Sequence, residues 1–260
     1  FLNLLFFSYH IKAQEFIIIQ STTSTRDSGF YDYLLPKFQK KFDIEVRVIA
    51  VGTGQAIKNA KNCDADLLLV HHKPSEVEFL KQGFGLYRKE IMYNDYVIIG
   101  PKNDPINLRN EKSIKEALKK ILLNNFNFIT RGDDSGTNKK EKELWKTTGI
   151  QPNPKEDRWY IDIGQGMGAA LNIAVNKNAY TVSDRASWLN FLNKQNHEII
   201  LENNPKLYNF YGLIPINPLR CPNVKKNESK KFIDWISSIE GKQIINNFRI
   251  KGKQLFFSVD

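Results

Sequence analysis

The chain has 260 residues, 41% of them hydrophobic and 25% charged, a composition that suits a globular protein with core enough for one domain or two. Its formal net charge of +10 favours anionic partners. Lysine and arginine are nevertheless spread along the chain. The densest run, Lys225–Lys231, reads as a solvated loop entering a helix, and no nucleic-acid motif accompanies it, so nucleic acid is not the expected partner.

In chain order, "FLNLLFFSYHIKA" has the length of a signal-peptide apolar segment and ends on Ala13 before the polar Gln14–Glu15. Residues 1–14 are expected to be the tail of a secretory signal, the alternative being a buried first strand or helix. The segment is shorter than the ~20 apolar residues that span a bilayer, and no other stretch is long and apolar enough. Phe16–Ile19 reads as a buried strand, and a helix is predicted over about Ser28–Lys41 with Pro36 as a kink. Ile44–Val51 and Ala65–Val70 read as strands flanking a short helix over about Gln55–Asn62. Tyr93–Ile99 is a further strand, stopped by Gly100–Pro101. This succession predicts a parallel α/β sheet.

The pattern then restarts. A helix over Ser113–Asn125, a strand over Phe126–Thr130 and a helix over Lys139–Thr147 are followed by a helix from about Gly166. Tyr180–Ser183 reads as extended, Ser187–Leu192 as helical, Tyr208–Ile216 as a strand and Ser229–Phe248 as one C-terminal helix. Two sub-domains fit best. Residues 15–99 and 207–260 form the first, with residues 100–206 inserted as the second. The crossing strands near Tyr93–Ile99 and Phe210–Ile216 are the expected hinge.

Three strand-to-helix junctions share one chemistry: "QSTTSTRDSG" (Gln20–Gly29), "VGTGQ" (Val51–Gln55) and "RGDDSGT" (Arg131–Thr137). In each, glycine lets the backbone approach a ligand, hydroxyls donate, and the next helix offers free N–H groups with partial positive charge. A fourth, "GQGMG" (Gly164–Gly168), is similar without hydroxyls and is one residue short of a dinucleotide fingerprint. Taken singly, such loops are also ordinary turns and caps. In an open α/β sheet they converge at the carboxyl ends of the strands and, with one arginine, describe an oxyanion site. About six charge-assisted hydrogen bonds of roughly 1.5–3 kcal/mol each could hold a small dianion at nanomolar affinity, about −12 kcal/mol.

Other chemistries find less support. The four histidines (His10, His71, His72, His197) show no metal-ligand spacing, and adjacent His71 and His72 point to opposite faces of an extended segment. Cys63 and Cys221 are far apart in sequence, and whether they meet stays open. No nucleophile–base motif or carboxylate pair stands out.

The stretches "STTSTRDSGFYDYLLPKF", "VGTGQAIKNAKNCDADLLLVH", "MYNDYVIIGP", "RGDDSGTNKKEKELW", "WYIDIGQGMGAALNIA" and "YTVSDRASW" resemble the tungstate-binding proteins of ABC importers, in the same order over most of residues 15–220. The resemblance implies an α/β, two-lobed type II periplasmic-binding-protein fold with the ligand cleft between lobes. It implies an exported, periplasmic, monomeric receptor with no catalysis and no cofactor. Such a receptor captures tungstate or molybdate and delivers it to a permease in the inner membrane. Carried onto this chain, Thr23, Ser24 and Thr53 would donate from lobe one and Arg131, Ser135 and Thr137 from lobe two, joined by the Gly166 and Met167 amides. Arg131 carries the most weight, because its planar fork can grip two oxygens, although it could instead form a structural salt bridge with Asp133 or Asp134. The family usually has threonine at Ser21 and His-Ala at His71–His72. A phosphate- or sulfate-type receptor is the nearest alternative, since phosphate keeps protons at neutral pH and benefits from a carboxylate acceptor. An enzyme or a ligand-sensing regulator on the same fold is more distant. A deprotonated tungstate is repelled by a carboxylate, so Asp133 and Asp134 are expected to turn toward Arg131 or the helix N-terminus.

Overall fold

The computed structural model describes residues 14–259; the expected signal remnant falls, except for Gln14, outside the described residues. The chain opens with β1 (Glu15–Thr22), α1 (Thr23–Asp27), α2 (Phe30–Phe42), β2 (Ile44–Val51), α3 (Thr53–Lys61), β3 (Leu67–Val70) and α4 (Lys73–Lys81). A long strand, β4 (Lys89–Pro101), leads to α5 (Ile114–Leu123), β5 (Phe128–Thr130), α6 (Gly136–Lys146), β6 (Tyr160–Asp162) and α7 (Met167–Asn176). Next come β7 (Tyr180–Asp184), α8 (Arg185–Asn190), β8 (His197–Leu201) and β9 (Tyr208–Pro215). The chain closes with α9 (Lys226–Ser237), α10 (Ile239–Asn247) and the two-residue strands β10 (Arg249–Ile250), β11 (Lys253–Gln254) and β12 (Phe257–Ser258).

Strand β4 belongs to both lobes. Its first half pairs antiparallel with β9, from Lys89↔Leu213 to Asp95↔Tyr208, and from Tyr96 onward it pairs with β7 and β8. The partners change between Asp95 and Tyr96. Lobe one continues outward as β9–β3–β1–β2, and lobe two as β7–β5–β6. Arg185 sits at this junction. Its Nε donates to Asp95 Oδ1 at 2.7 Å, and its Nη1 lies 2.7 Å from Glu202, on the segment returning to lobe one. One guanidinium therefore ties both crossings.

The expected parallel sheet is corrected to a mixed one. β1 runs parallel to β2 and β3, and β5 parallel to β6 and β7, but β9 is antiparallel to β3 and β4. An inserted lobe requires one strand to leave and another to return beside it, and these run in opposite senses. The expected single C-terminal helix is also two. Ser238 takes an extended conformation (φ −73°, ψ 169°), and its Oγ accepts from Gly241 N, capping α10. Gly241 lies so close to the carbonyls of Trp235 and Ile236 that a Cβ would sit 2.3 and 2.4 Å from them.

Each lobe has its own cores. In lobe one, Phe30, Phe38, Phe232 and Phe256, all at most 1% exposed, pack between the sheet and helices α2 and α9. Trp145, Phe128 and Tyr160 anchor lobe two. Cys63 and Cys221 form a disulfide with a Cα–Cα distance of 5.3 Å. It joins the end of α3 to the segment after β9. Among the described residues, no helix is long and apolar enough to cross a membrane, and no cluster of His, Cys, Asp and Glu could hold a metal ion.

Candidate functional site

The hydroxyl run divides into two groups. Ser21 is fully buried at the end of β1, donating to Leu69 O at 2.8 Å and bonded to the Tyr31 hydroxyl. Thr22 and Thr25, both buried, bond each other through their hydroxyls at 2.8 Å. These three hold the junction together. Thr23 and Ser24 are partly exposed, at the start of α1.

In the second loop, Thr53 is the first residue of α3 and is 1% exposed, and its Oγ1 has no hydrogen-bond partner among the described residues. The next residue, Gly54, faces lobe two, where a Cβ on it would lie 3.7 Å from Asp134 Oδ2 and 3.8 Å from Lys139 Nζ.

The third loop holds its arginine by local pairing. Arg131 donates from Nε to Asp133 Oδ2 at 3.1 Å and also from Nη2. Asp133 Oδ1 accepts from Ser135 N at 3.3 Å, and Asp134 pairs with Lys139 at 3.2 Å. Asp133 thus turns to Arg131 and to the entry of α6, while Asp134, three-quarters exposed, turns to a lysine. Ser135 Oγ caps α6 by accepting from Asn138 N at 3.2 Å, and Thr137 is buried in its first turn. Gly132 requires its glycine: φ is +65°, and a Cβ would sit 1.7 Å from Asp162 Oδ1. The fourth loop is tied to the third, with Gln165 N donating to Arg131 O at 3.1 Å. Gly166 stands exposed at the entry of α7, with Met167 buried behind it.

His71 joins these loops, and the sequence assigned it no role. It follows β3 and is 8% exposed. Its Nε2 lies 3.4 Å from Ser24 Oγ, its Nδ1 lies 3.0 Å from Asn209 Oδ1, and its ring packs against Tyr211 at a 38° tilt with centroids 4.8 Å apart. On the far side, a Cβ on Gly136 would sit 2.5 Å from His71 Cε1, so the ring rests on the start of α6 in lobe two. Burial pushes the imidazole down to about 4, with the positive charges of His72 and Arg131 acting in the same direction. Tyr96 and Asp184 are buried in the same region, and burial raises both above their ordinary values. Asp184 Oδ1 caps α8 by accepting from Ser187 N at 2.8 Å, while Oδ2 has no hydrogen-bond partner among the described residues.

Contacts between these loops link them in space. Loops one and three meet through His71, loops two and three at Gly54 and Asp134, and loops three and four through Arg131 and Gln165. At the rim, His72 of lobe one lies 3.2 Å from Glu143 of lobe two. The residues that sequence reasoning passed over are His71, Tyr96, Asn209 and Asp184. For His71 a signal was present, since it stands at the carboxyl end of a buried strand, where ligands gather.

A buried network supports the third loop from behind. Glu141 on α6 accepts from Thr130 Oγ1 and Tyr160 OH, each at 2.6 Å, and Asn138 Nδ2 donates to Thr130 Oγ1 at 3.0 Å. Burial pushes the Glu141 carboxyl up to about 7, against the hydrogen bonds that lower it. Its folded-state pKa thus exceeds that of the unfolded chain, so its protonated form contributes stability fully present below about pH 4.5 and lost as pH rises through about 7. Denaturant titrations should find wild type losing up to about 3 kcal/mol relative to Glu141→Gln between pH 4.5 and pH 8. A difference that does not change with pH would place the proton elsewhere.

The linked loops carry four helix starts and one arginine, with the loop aspartates already paired. Residues 12–240 match the PBP superfamily domain. The tungstate-binding protein TupA of Peptoclostridium acidaminophilum is 46% identical over 239 residues, 91% of this chain and 82% of that protein. TupA of Campylobacter jejuni is 40% identical over 237 residues, 90% of this chain and 87% of its own. The solved structure of the tungstate-binding protein TupA from Desulfovibrio alaskensis superposes with a TM-score of 0.87 at 41% identity, covering 94% of this chain and 99% of that one. This chain belongs to the TupA family of tungstate-binding proteins, within the PBP superfamily.

Proposed function

We propose that this chain is the periplasmic receptor of an ABC importer, capturing tungstate or the closely similar molybdate between its lobes and presenting it to a membrane permease. It works as an exported monomer, without catalysis and without a cofactor. Residues 15–99 and 207–260 act as one lobe and residues 100–206 as the other. The anion is held by Thr23, Ser24 and Thr53 from lobe one and by Arg131, Ser135, Thr137 and the Gly166 and Met167 amides from lobe two.

Thr53 is the observation that carries this reading. A buried hydroxyl without a partner costs about 1–3 kcal/mol, and is kept where a ligand supplies the acceptor. The other two buried hydroxyls without partners, Ser229 and Ser237, both lie on α9, while that of Thr53 stands at the cleft end of α3. The pairing of Asp133 and Asp134 with Arg131 and Lys139 supports a fully deprotonated anion, which needs donors alone.

Calorimetric titration with tungstate, molybdate, sulfate and phosphate in a non-phosphate buffer tests the reading. Tungstate is expected to bind with nanomolar affinity, about −12 kcal/mol, and sulfate and phosphate at least a hundredfold more weakly. Phosphate binding tightest would overturn it.

A further inference from the structure

We propose that oxyanion binding is coupled to the uptake of one proton by His71, and that this proton turns the Ser24 hydroxyl toward the ligand. The inference rests on the oxyanion-receptor reading above.

The hydrogen-bond chain behind His71 fixes its tautomer. Asn209 Nδ2 donates to Asn94 Oδ1 at 2.7 Å, and Asn94 Nδ2 donates to Tyr211 OH at 3.2 Å. Asn209 therefore presents its carbonyl oxygen to His71 Nδ1, at 3.0 Å. That oxygen only accepts, and it lies closer to Nδ1 than the Tyr96 hydroxyl at 3.3 Å, which can itself accept, so Nδ1 carries the ring hydrogen. A neutral ring then leaves a lone pair on Nε2 as an acceptor for the Ser24 hydroxyl 3.4 Å away, whose other neighbour, Thr22 Oγ1 at 3.3 Å, is bonded to Thr25. In this state the hydroxyl turns its hydrogen to the ring and presents lone pairs elsewhere, the wrong polarity for a deprotonated oxyanion. A proton taken from solvent onto Nε2 reverses the bond. Nε2–H then donates to Ser24 Oγ, and the hydrogen of Ser24 is released to the ligand. Nδ1–H keeps its bond to Asn209 throughout.

The charges in the cleft demand such a proton. The Arg131 guanidinium is already matched by Asp133, and Asp184 adds no positive charge. Tyr96 and Tyr211, the titratable groups packed behind the ring, are held neutral by burial. On the outer side His72 is bonded to Glu143, whose carboxylate also attracts Lys140, and Lys73 lies 3.4 Å from Glu90. A dianion entering here brings two negative charges against little fixed compensation, and a buried charge without compensation is costly. Arg131 opposes a second cation in the free protein, where burial holds the His71 proton off at neutral pH. The bound dianion reverses that balance.

The test is tungstate titration calorimetry with the full chain in two buffers of different ionisation enthalpy, PIPES and Tris, from pH 6 to pH 8. Wild type should show a buffer-dependent heat that reports proton uptake, and an affinity that falls about fourfold from pH 6 to pH 8, as expected for one proton with a bound-state pKa near 6.5. His71→Gln and His71→Asn should lose both signals, whereas His72→Gln should keep the buffer dependence. Tight binding with the same heat in both buffers would overturn the coupling and leave the receptor reading standing. Loss of the uptake in Asp184→Asn with retention in both His71 variants would move the proton to Asp184 and overturn the assignment. No binding of tungstate or any other oxyanion would overturn both readings.

Discussion

Arg131→Ala is expected to weaken tungstate binding at least tenfold while the melting temperature of the free protein stays close to wild type. Asp133 accepts from Nε and Nη2 of the guanidinium and so holds the fork in one orientation. The side chain is 12% exposed, partly shielded from water and not deeply buried, so losing it opens no large core cavity. What disappears is a pre-oriented, charge-assisted donor, and each such bond contributes about 1.5–3 kcal/mol, a factor of roughly ten to a hundred and fifty. The variant also leaves the Asp133 carboxylate without a partner beside a dianion. The double variant Arg131→Ala/Asp133→Asn separates the two effects: recovery of part of the loss would measure the repulsion, and the remainder the contact itself. The salt bridge with Asp133 and a role in the site are compatible, because the bridge positions the arginine. Calorimetry on both variants decides the matter, and unchanged affinity in Arg131→Ala would remove Arg131 from the site.

The second large effect concerns stability rather than binding. The Cys63–Cys221 disulfide closes a loop with a sequence separation of 158, which contains the whole of lobe two. Cross-linking a chain at that separation lowers the entropy of the unfolded state, a stabilisation of about 5 kcal/mol at most in the chain-entropy account and typically about 2–4. Both cysteines lie in lobe one, so the bond keeps the two halves of that lobe joined whatever the inserted lobe does. Cys63→Ser/Cys221→Ser should therefore lower the melting temperature by roughly 10 °C, at about 2–4 °C per kcal/mol for a chain of this size. Its tungstate affinity should stay within about threefold of wild type, since the disulfide lies at the far end of α3 from Thr53. Differential scanning calorimetry with and without tungstate gives both numbers. An unchanged melting temperature would show that the bond contributes nothing to folding.

Much of the site was legible because its chemistry is local. A glycine, hydroxyls and a helix start read as a donor loop wherever they occur, and contacts through His71, Gly54 and Gln165 link the loops in the fold. Less legible were features set by distant partners. The parallel sheet failed because strand direction depends on where the chain returns, which β9 decides more than a hundred residues after β4 begins. Helix α4 escaped notice because its inner face is Glu76 and Phe79 rather than an apolar stripe, and Glu76 is buried only because Arg88 pairs with it. The break between α9 and α10 has no Pro, and its signals are the Ser238 cap and Gly241 three residues later, both of which also fit a continuous helix in sequence. The pairing of Cys63 with Cys221 and the position of His71 between Ser24 and Gly136 are contacts across the fold, and no spacing rule reports them. Within the hydroxyl run, Ser21, Thr22 and Thr25 hold the junction itself, while Thr23 and Ser24 stay partly exposed.

The central claim is that a tetrahedral oxyanion sits between the lobes, among Thr53, Arg131 and Thr137. A crystal structure of the tungstate complex tests it most directly, because tungsten gives an anomalous signal that locates the anion without reference to the surrounding chain. One strong peak within hydrogen-bonding reach of the Thr53 hydroxyl and the Arg131 guanidinium, with the carboxylates of Asp133 and Asp134 turned aside, is the predicted result. A peak outside the cleft, or an anion in direct contact with either of those carboxylates, would contradict it.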